Sequence, residues 1–142
     1  AVPVQMPQAE LVRLDGSSVQ FGSLAGKPMV VNLWATWCPP CIREMPVLRD
    51  AQKNSPDVVF VFANQGESAD VIQKFLDREG LVLDNVLLDS RLELSSQTNS
   101  QGLPTTLFFD AKGALVDRRI GELSAATLAQ RIEGIATRHI GP

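Results

Sequence analysis

The hydrophobic pattern along the chain alternates between short apolar runs and amphipathic stretches. Residues 9–21 carry two short alternating segments around Asp15-Gly16, which predicts a hairpin. Gly26-Lys27-Pro28 then opens Met29–Trp34, a near-continuous apolar run of the kind found in a strand buried on both faces. From Ile42 to about residue 53 the spacing of Ile42, Met45, Val47 and Leu48 among charged positions predicts a helix, with a kink expected at Pro46. Residues 57–63 read as a second buried strand. Ser68 is placed to cap a helix whose stripe is Val71, Ile72, Phe75 and Leu76 and whose end is Gly80. A short strand over 86–88 and a weak helix over 91–98 follow. Thr105–Phe109 and Ala114–Ile120 read as strands joined through the turn Asp110-Ala111-Lys112-Gly113. Ser124 caps a last helix, Ala125–Arg138, that turns Leu128, Ile132 and Ile135 to one side.

Strands separated by helices require parallel pairing, and the late hairpin adds antiparallel strands. The prediction is a three-layer α/β domain: a mixed sheet with helices on both faces. Residues 1–142 form one domain with an ordered core from about 8 to 138, and there is no repeat or linker.

Composition narrows the function. Thirteen basic and sixteen acidic side chains leave a net charge of −3, the wrong balance for sequence-independent nucleic-acid binding. No apolar run approaches the ~18 residues needed to cross a bilayer. The chain opens on Ala1 rather than Met, as a trimmed product does, which leaves export open.

Two cysteines, Cys38 and Cys41, enclose Pro39 and Pro40. That is too few for a disulfide-dense scaffold, and with His139 the only histidine a four-ligand zinc site is disfavoured. The pair stands where a buried strand gives way to a helix. There the macrodipole and free N–H groups favour the Cys38 thiolate. Cys41, one turn on and nearer the core, is set to resolve a mixed disulfide formed at Cys38. As a mere staple, so short a loop would contribute only about 2 kcal/mol before strain. Pro40 removes an N–H that would otherwise stabilise the thiolate, which points to an electron donor rather than a strong oxidant. A disulfide-forming oxidant and a copper or other metal chaperone using the two thiolates are the alternatives. A peroxidase of the peroxiredoxin type needs Thr-x-x-Cys, and Thr36-Trp37-Cys38 has the wrong spacing.

Residues 30–41, Val-Val-Asn-Leu-Trp-Ala-Thr-Trp-Cys-Pro-Pro-Cys, with Arg43-Glu44-Met45-Pro46 behind them and Gly102-Leu103-Pro104-Thr105-Thr106 ahead of a strand, resemble the thioredoxin-like TlpA/ResA/DsbE (CcmG) branch. The resemblance extends from about residue 8 to 138 and implies a thioredoxin-like fold with an inserted βα unit between about 64 and 89. It implies Cys38 as nucleophile, Cys41 as resolving thiol, and Pro104 as a cis-proline facing the disulfide. Leu103 would offer its backbone to an extended substrate, beside Trp37, Pro39 and Pro40. Asn32 stands where thioredoxin has a buried acid, and Glu67 matches an acid of the inserted segment that would take the Cys41 proton. No cofactor beyond the redox-active disulfide is implied. The resemblance further implies a monomer outside the cytoplasmic membrane, in some members tethered. Its electrons would come from a membrane thiol carrier, and its targets would be protein disulfides such as those of apocytochrome c or copper-site proteins.

Overall fold

The computed structural model describes residues 4–138; His139 lies outside them. The run Met29–Trp34 forms β4, whose six residues are all buried. It lies between β5 (Val59–Gln65), which runs parallel to it, and β7 (Thr105–Phe109), which runs antiparallel. Around this centre the sheet order is β1-β8-β7-β4-β5-β6-β2-β3. The outer strands are β1 (Val4–Gln5) and β8 (Ala114–Ile120) on one side, and β6 (Val86–Asp89), β2 (Glu10–Arg13) and β3 (Ser18–Gln20) on the other. The hairpin, the parallel centre and the antiparallel β7–β8 pair are where the hydrophobic pattern predicts them.

Side chains on a strand alternate between faces, so β4 serves two cores. Val30 and Trp34 join Phe60, Phe62 and Phe108 under three helices: α1 (Pro39–Asn54), α2 (Ala69–Glu79) and α4 (Ala125–Arg138). Those helices supply Cys41, Met45 and Leu48, then Ile72, Phe75 and Leu76, then Leu128 and Ile135. Met29, Val31 and Leu33 face the other way. They pack with Val61, Leu107 and Phe109 against Phe21 of a 3-10 turn and Leu94 of the short α3 (Glu93–Gln97).

Helix α1 opens with Pro39 and Pro40 in its first two positions, where a missing N–H is harmless. Pro46 lies inside it on its exposed side without ending it. Ser68 caps α2, its hydroxyl accepting from the Val71 N–H at 3.3 Å, and Gly80 closes the helix in the left-handed region at φ 65°. The weak helix expected over 91–98 shrinks to five residues, since Leu92 takes φ 55° and breaks its first turn.

This packing makes the middle strands the stability centre. Phe62 is fully buried under the helices, so Phe62→Ala should cost about 3–5 kcal/mol, read from the urea midpoint of the oxidised protein.

Candidate active site

The parallel strands β4, β5 and β6 all finish at one end of the sheet, and antiparallel β7 begins there. The buried strand β4 hands the chain to α1 at this end through a turn, Ala35 to Cys38, closed by the Cys38 N–H donating to the Ala35 carbonyl at 3.3 Å. Cys38 is the N-cap of α1 with an extended backbone, φ −104° and ψ 102°. Cys38 and Cys41 are joined in a disulfide with their Cα atoms 5.3 Å apart, within the range such bonds span. Both sulfurs' residues are buried, Cys38 with 3% exposure and Cys41 with none, so any partner meets Cys38 first.

The first helical turn normally presents several unpaired N–H groups. In α1 the first two positions are proline, and the first intrahelical bond runs from the Ile42 N–H to the Cys38 carbonyl at 3.1 Å. Only the Cys41 N–H remains to face a Cys38 thiolate. The macrodipole still favours the anion, but the local donors are reduced to one.

Leu103 is half-buried and Pro104 buried, and the peptide bond between them is cis. The Pro104 carbonyl accepts from the Gly121 N–H at 2.9 Å, which ties the loop before β7 to the end of β8. Trp37 stands out at 68% exposure beside Cys38, Pro39 is exposed and Pro40 half-buried. Five large apolar side chains are exposed among the described residues: Trp37, Val71, Val82, Leu92 and Ile120. Four belong to the disulfide end. Val71 is in the first turn of α2, Leu92 follows β6, and Ile120 pairs with Thr105 at the start of β7.

Two carboxyl groups approach this end from within, and they are held differently. Glu67, half-buried, accepts from the Thr36 N–H at 2.7 Å and from Asn64 Nδ2 at 2.8 Å on Oε1, and from the Thr36 hydroxyl at 2.5 Å on Oε2. Glu44 lies one turn beyond Cys41 on the buried face of α1, with 1% exposure. Its Oε1 accepts from Asn32 Nδ2 at 2.7 Å and its Oε2 from the Leu123 N–H at 3.0 Å. Burial raises its pKa, and these two bonds only partly counteract that. Asn32 Oδ1 is buried without a partner. If Glu44 Oε1 carries a proton, rotating the amide by half a turn brings Oδ1 round to accept it, so the Asn32–Glu44 pair has a bonded arrangement for either protonation state.

Sequence reasoning placed Glu44 within a motif but missed it as a buried acid. The signal was its spacing, since Glu44 falls on the Cys41–Met45–Leu48 stripe that faces the core. Among the described residues no group of three His, Cys, Asp or Glu side chains is placed to hold a metal ion, and no helix is long and apolar enough to cross a membrane.

A carboxyl whose pKa is higher folded than unfolded contributes its full stability below its ordinary value and loses it as pH rises through the folded value. For Glu44, ordinarily 4.5, urea unfolding should therefore show the wild type losing stability relative to Glu44→Gln as the pH rises above that ordinary value. A difference that stays constant with pH would contradict the burial argument.

Comparison with known proteins agrees with this geometry. The Redoxin family profile matches residues 2–132. Thioredoxin-like protein YneN of Bacillus subtilis is 31% identical over 133 residues, covering 91% of this chain and 77% of that protein. Thiol-disulfide oxidoreductase ResA of Halalkalibacterium halodurans is 30% identical over 124 residues, covering 84% and 69%. Among solved structures, a secreted Mycobacterium tuberculosis disulfide oxidoreductase described as homologous to E. coli DsbE superposes with a TM-score of 0.77 at 28% identity, over 89% of this chain and 96% of that one. The chain belongs to the Redoxin family, in its TlpA/ResA/DsbE branch of thiol-disulfide oxidoreductases.

Proposed function

We propose that the protein is a reductase of protein disulfides in the bacterial cell envelope. The observation that carries this reading is the Cys38–Cys41 pair at the α1 N-terminus, with only Cys38 near the surface and four exposed apolar side chains at the same end of the sheet. Small disulfides need no such surface, whereas a polypeptide covers it.

In the reduced enzyme the Cys38 thiolate attacks a substrate disulfide. One S–S bond forms to Cys38 and one substrate thiolate leaves. Cys41 then loses its proton and attacks the Cys38 sulfur, closing the internal disulfide and releasing the second substrate thiolate, so two electrons pass to the substrate. Glu44 is the carboxyl we assign to the Cys41 proton. It lies one turn from Cys41 in the buried layer, and a raised pKa makes it a stronger base than an ordinary carboxylate. Glu67, the acid expected from the sequence to take this proton, bonds to Thr36 and Asn64 rather than to any residue of α1, so we give it a different part.

We place Leu103 and Pro104 on the β7 side of the disulfide. We assign the Leu103 backbone to an extended substrate segment and Trp37, Pro39 and Pro40 to the opposite wall. Direction follows from the first turn of α1. With a single N–H left for the Cys38 sulfur, the reduced form gains little stabilisation, and the couple donates electrons. Function outside the cytoplasmic membrane accords with the secreted relative. A membrane thiol carrier as donor, and apocytochrome c or copper-site cysteines as targets, fit the branch and complete the reading.

Cys38→Ser should abolish insulin reduction. Cys41→Ser should stop at a covalent adduct with the substrate, visible by mass spectrometry. Near-wild-type turnover by Cys38→Ser would sink the reading. Equilibrated with a glutathione buffer, the couple should settle near or below about −220 mV. A value near about −120 mV would make the protein an oxidant and overturn the argument from Pro39 and Pro40.

A further inference from the structure

We propose that Glu67 is a positioning residue that sets the protein's preference for polypeptide disulfides, by pinning the Thr36–Trp37 turn in front of Cys38 from the inserted βα unit. This rests on the reductase reading above and adds what selects the substrate.

Glu67 precedes Ser68, the N-cap of α2, so it is outside the helix; the acid in the first turn of α2 is Asp70. Gly66, at φ 89°, turns the backbone after β5 and delivers Glu67 toward the end of β4. A side chain at Gly66 would be strained by this left-handed backbone. Asn64 holds the corner from within. Fully buried and paired in register with Trp34, it accepts from the Glu67 N–H at 3.0 Å and returns its Nδ2 to Glu67 Oε1. Both functional ends of the Asn64 amide are thus spent on fixing Glu67.

What Glu67 then grips is the turn itself. Thr36 and Trp37 are its two central residues, and its own closing bond is a 3.3 Å contact between Cys38 and Ala35. Glu67 adds two charge-assisted bonds to Thr36, one to the backbone N–H and one to the hydroxyl. The Trp37 side chain is mostly in solvent, so its placing next to Cys38 rests on the backbone turn that Glu67 restrains. An ordered Trp37 is a wall a polypeptide can lean on, and its ordering cost is met before the partner arrives. A small disulfide reaches the Cys38 sulfur without that wall.

The geometry also separates positioning from proton transfer. In Glu67→Gln, Oε1 can still accept from the Thr36 N–H and Asn64, while Nε2 donates to the Thr36 hydroxyl. The substitution keeps the grip and removes the titrating group. Glu67→Ala removes both.

The test compares reduction of insulin and of oxidised glutathione by the reduced protein. Loss of the two bonds in Glu67→Ala should lower the ratio of insulin to glutathione reactivity by about tenfold or more, through KM rather than kcat. Glu67→Gln should restore the ratio to within about twofold and leave the pH–rate profile in place. Thr36→Ala, which removes the hydroxyl alone, should give part of the KM effect, and the double variant should be no worse than Glu67→Ala. The Gln and Thr36 variants carry the test if Glu67→Ala fails to fold. An equal slowing on both substrates would overturn the proposal, as would a Gln variant as impaired as Ala or effects of Glu67 and Thr36 that simply add. A wild type that reduces neither substrate would instead overturn the reductase reading on which it rests.

Discussion

The structure depends on a strand buried on both faces having to end somewhere that its chain can surface. β4 lies in the middle of the sheet with all six side chains covered, so its backbone is satisfied by β5 and β7 and its two faces by separate cores. At Trp34 that arrangement stops, and within a four-residue turn the chain enters α1. The same constraint that buries β4 therefore puts a helix N-terminus, with its positive end of the dipole, at the rim of the core. A thiol at that junction has one side in the protein's interior and one toward solvent. Cys38 and Cys41 divide those two sides between them.

The hydrophobic pattern predicts some elements to the residue, among them the fully buried β4 and β7 and the half-buried β8. Met29–Trp34 is apolar apart from Asn32 and Thr105–Phe109 closes on three apolar residues, and each is a strand with the predicted bounds. What the pattern leaves unread depends on partners far along the chain. β1 is two residues whose only claim to be a strand is pairing with Ala114 and Leu115. Leu92 adopts a left-handed backbone that its residue type does not announce.

The site divides the same way. The Cys38–Cys41 motif is legible because its chemistry is local to four residues. The bond between Thr36 and Glu67 spans 31 positions and follows only from β5 lying beside β4 in register. Glu44 is the intermediate case. Its helical spacing from Cys41 was readable, but its burial rests on Asn32 and on Leu123, the latter 79 residues away.

The two carboxyl groups show how one end of a sheet can keep recognition and chemistry apart. Glu44 lies one turn beyond Cys41 on the buried face of α1, where desolvation favours its neutral form. Its neighbour Asn32 is an amide, which cannot take a proton but can turn to suit either state of Glu44. Glu67 approaches from the side, is saturated by donors and touches the turn. A carboxylate that accepts three hydrogen bonds makes a good clamp. A carboxyl whose pKa is raised by burial, beside an adaptable amide, suits proton transfer. On our reading the exchange reaction needs both, because Cys41 must lose a proton away from solvent while Trp37 must stay in place to receive a polypeptide. Separating these tasks between α1 and the inserted βα unit lets partner preference change through the insertion without disturbing the proton path beneath the disulfide.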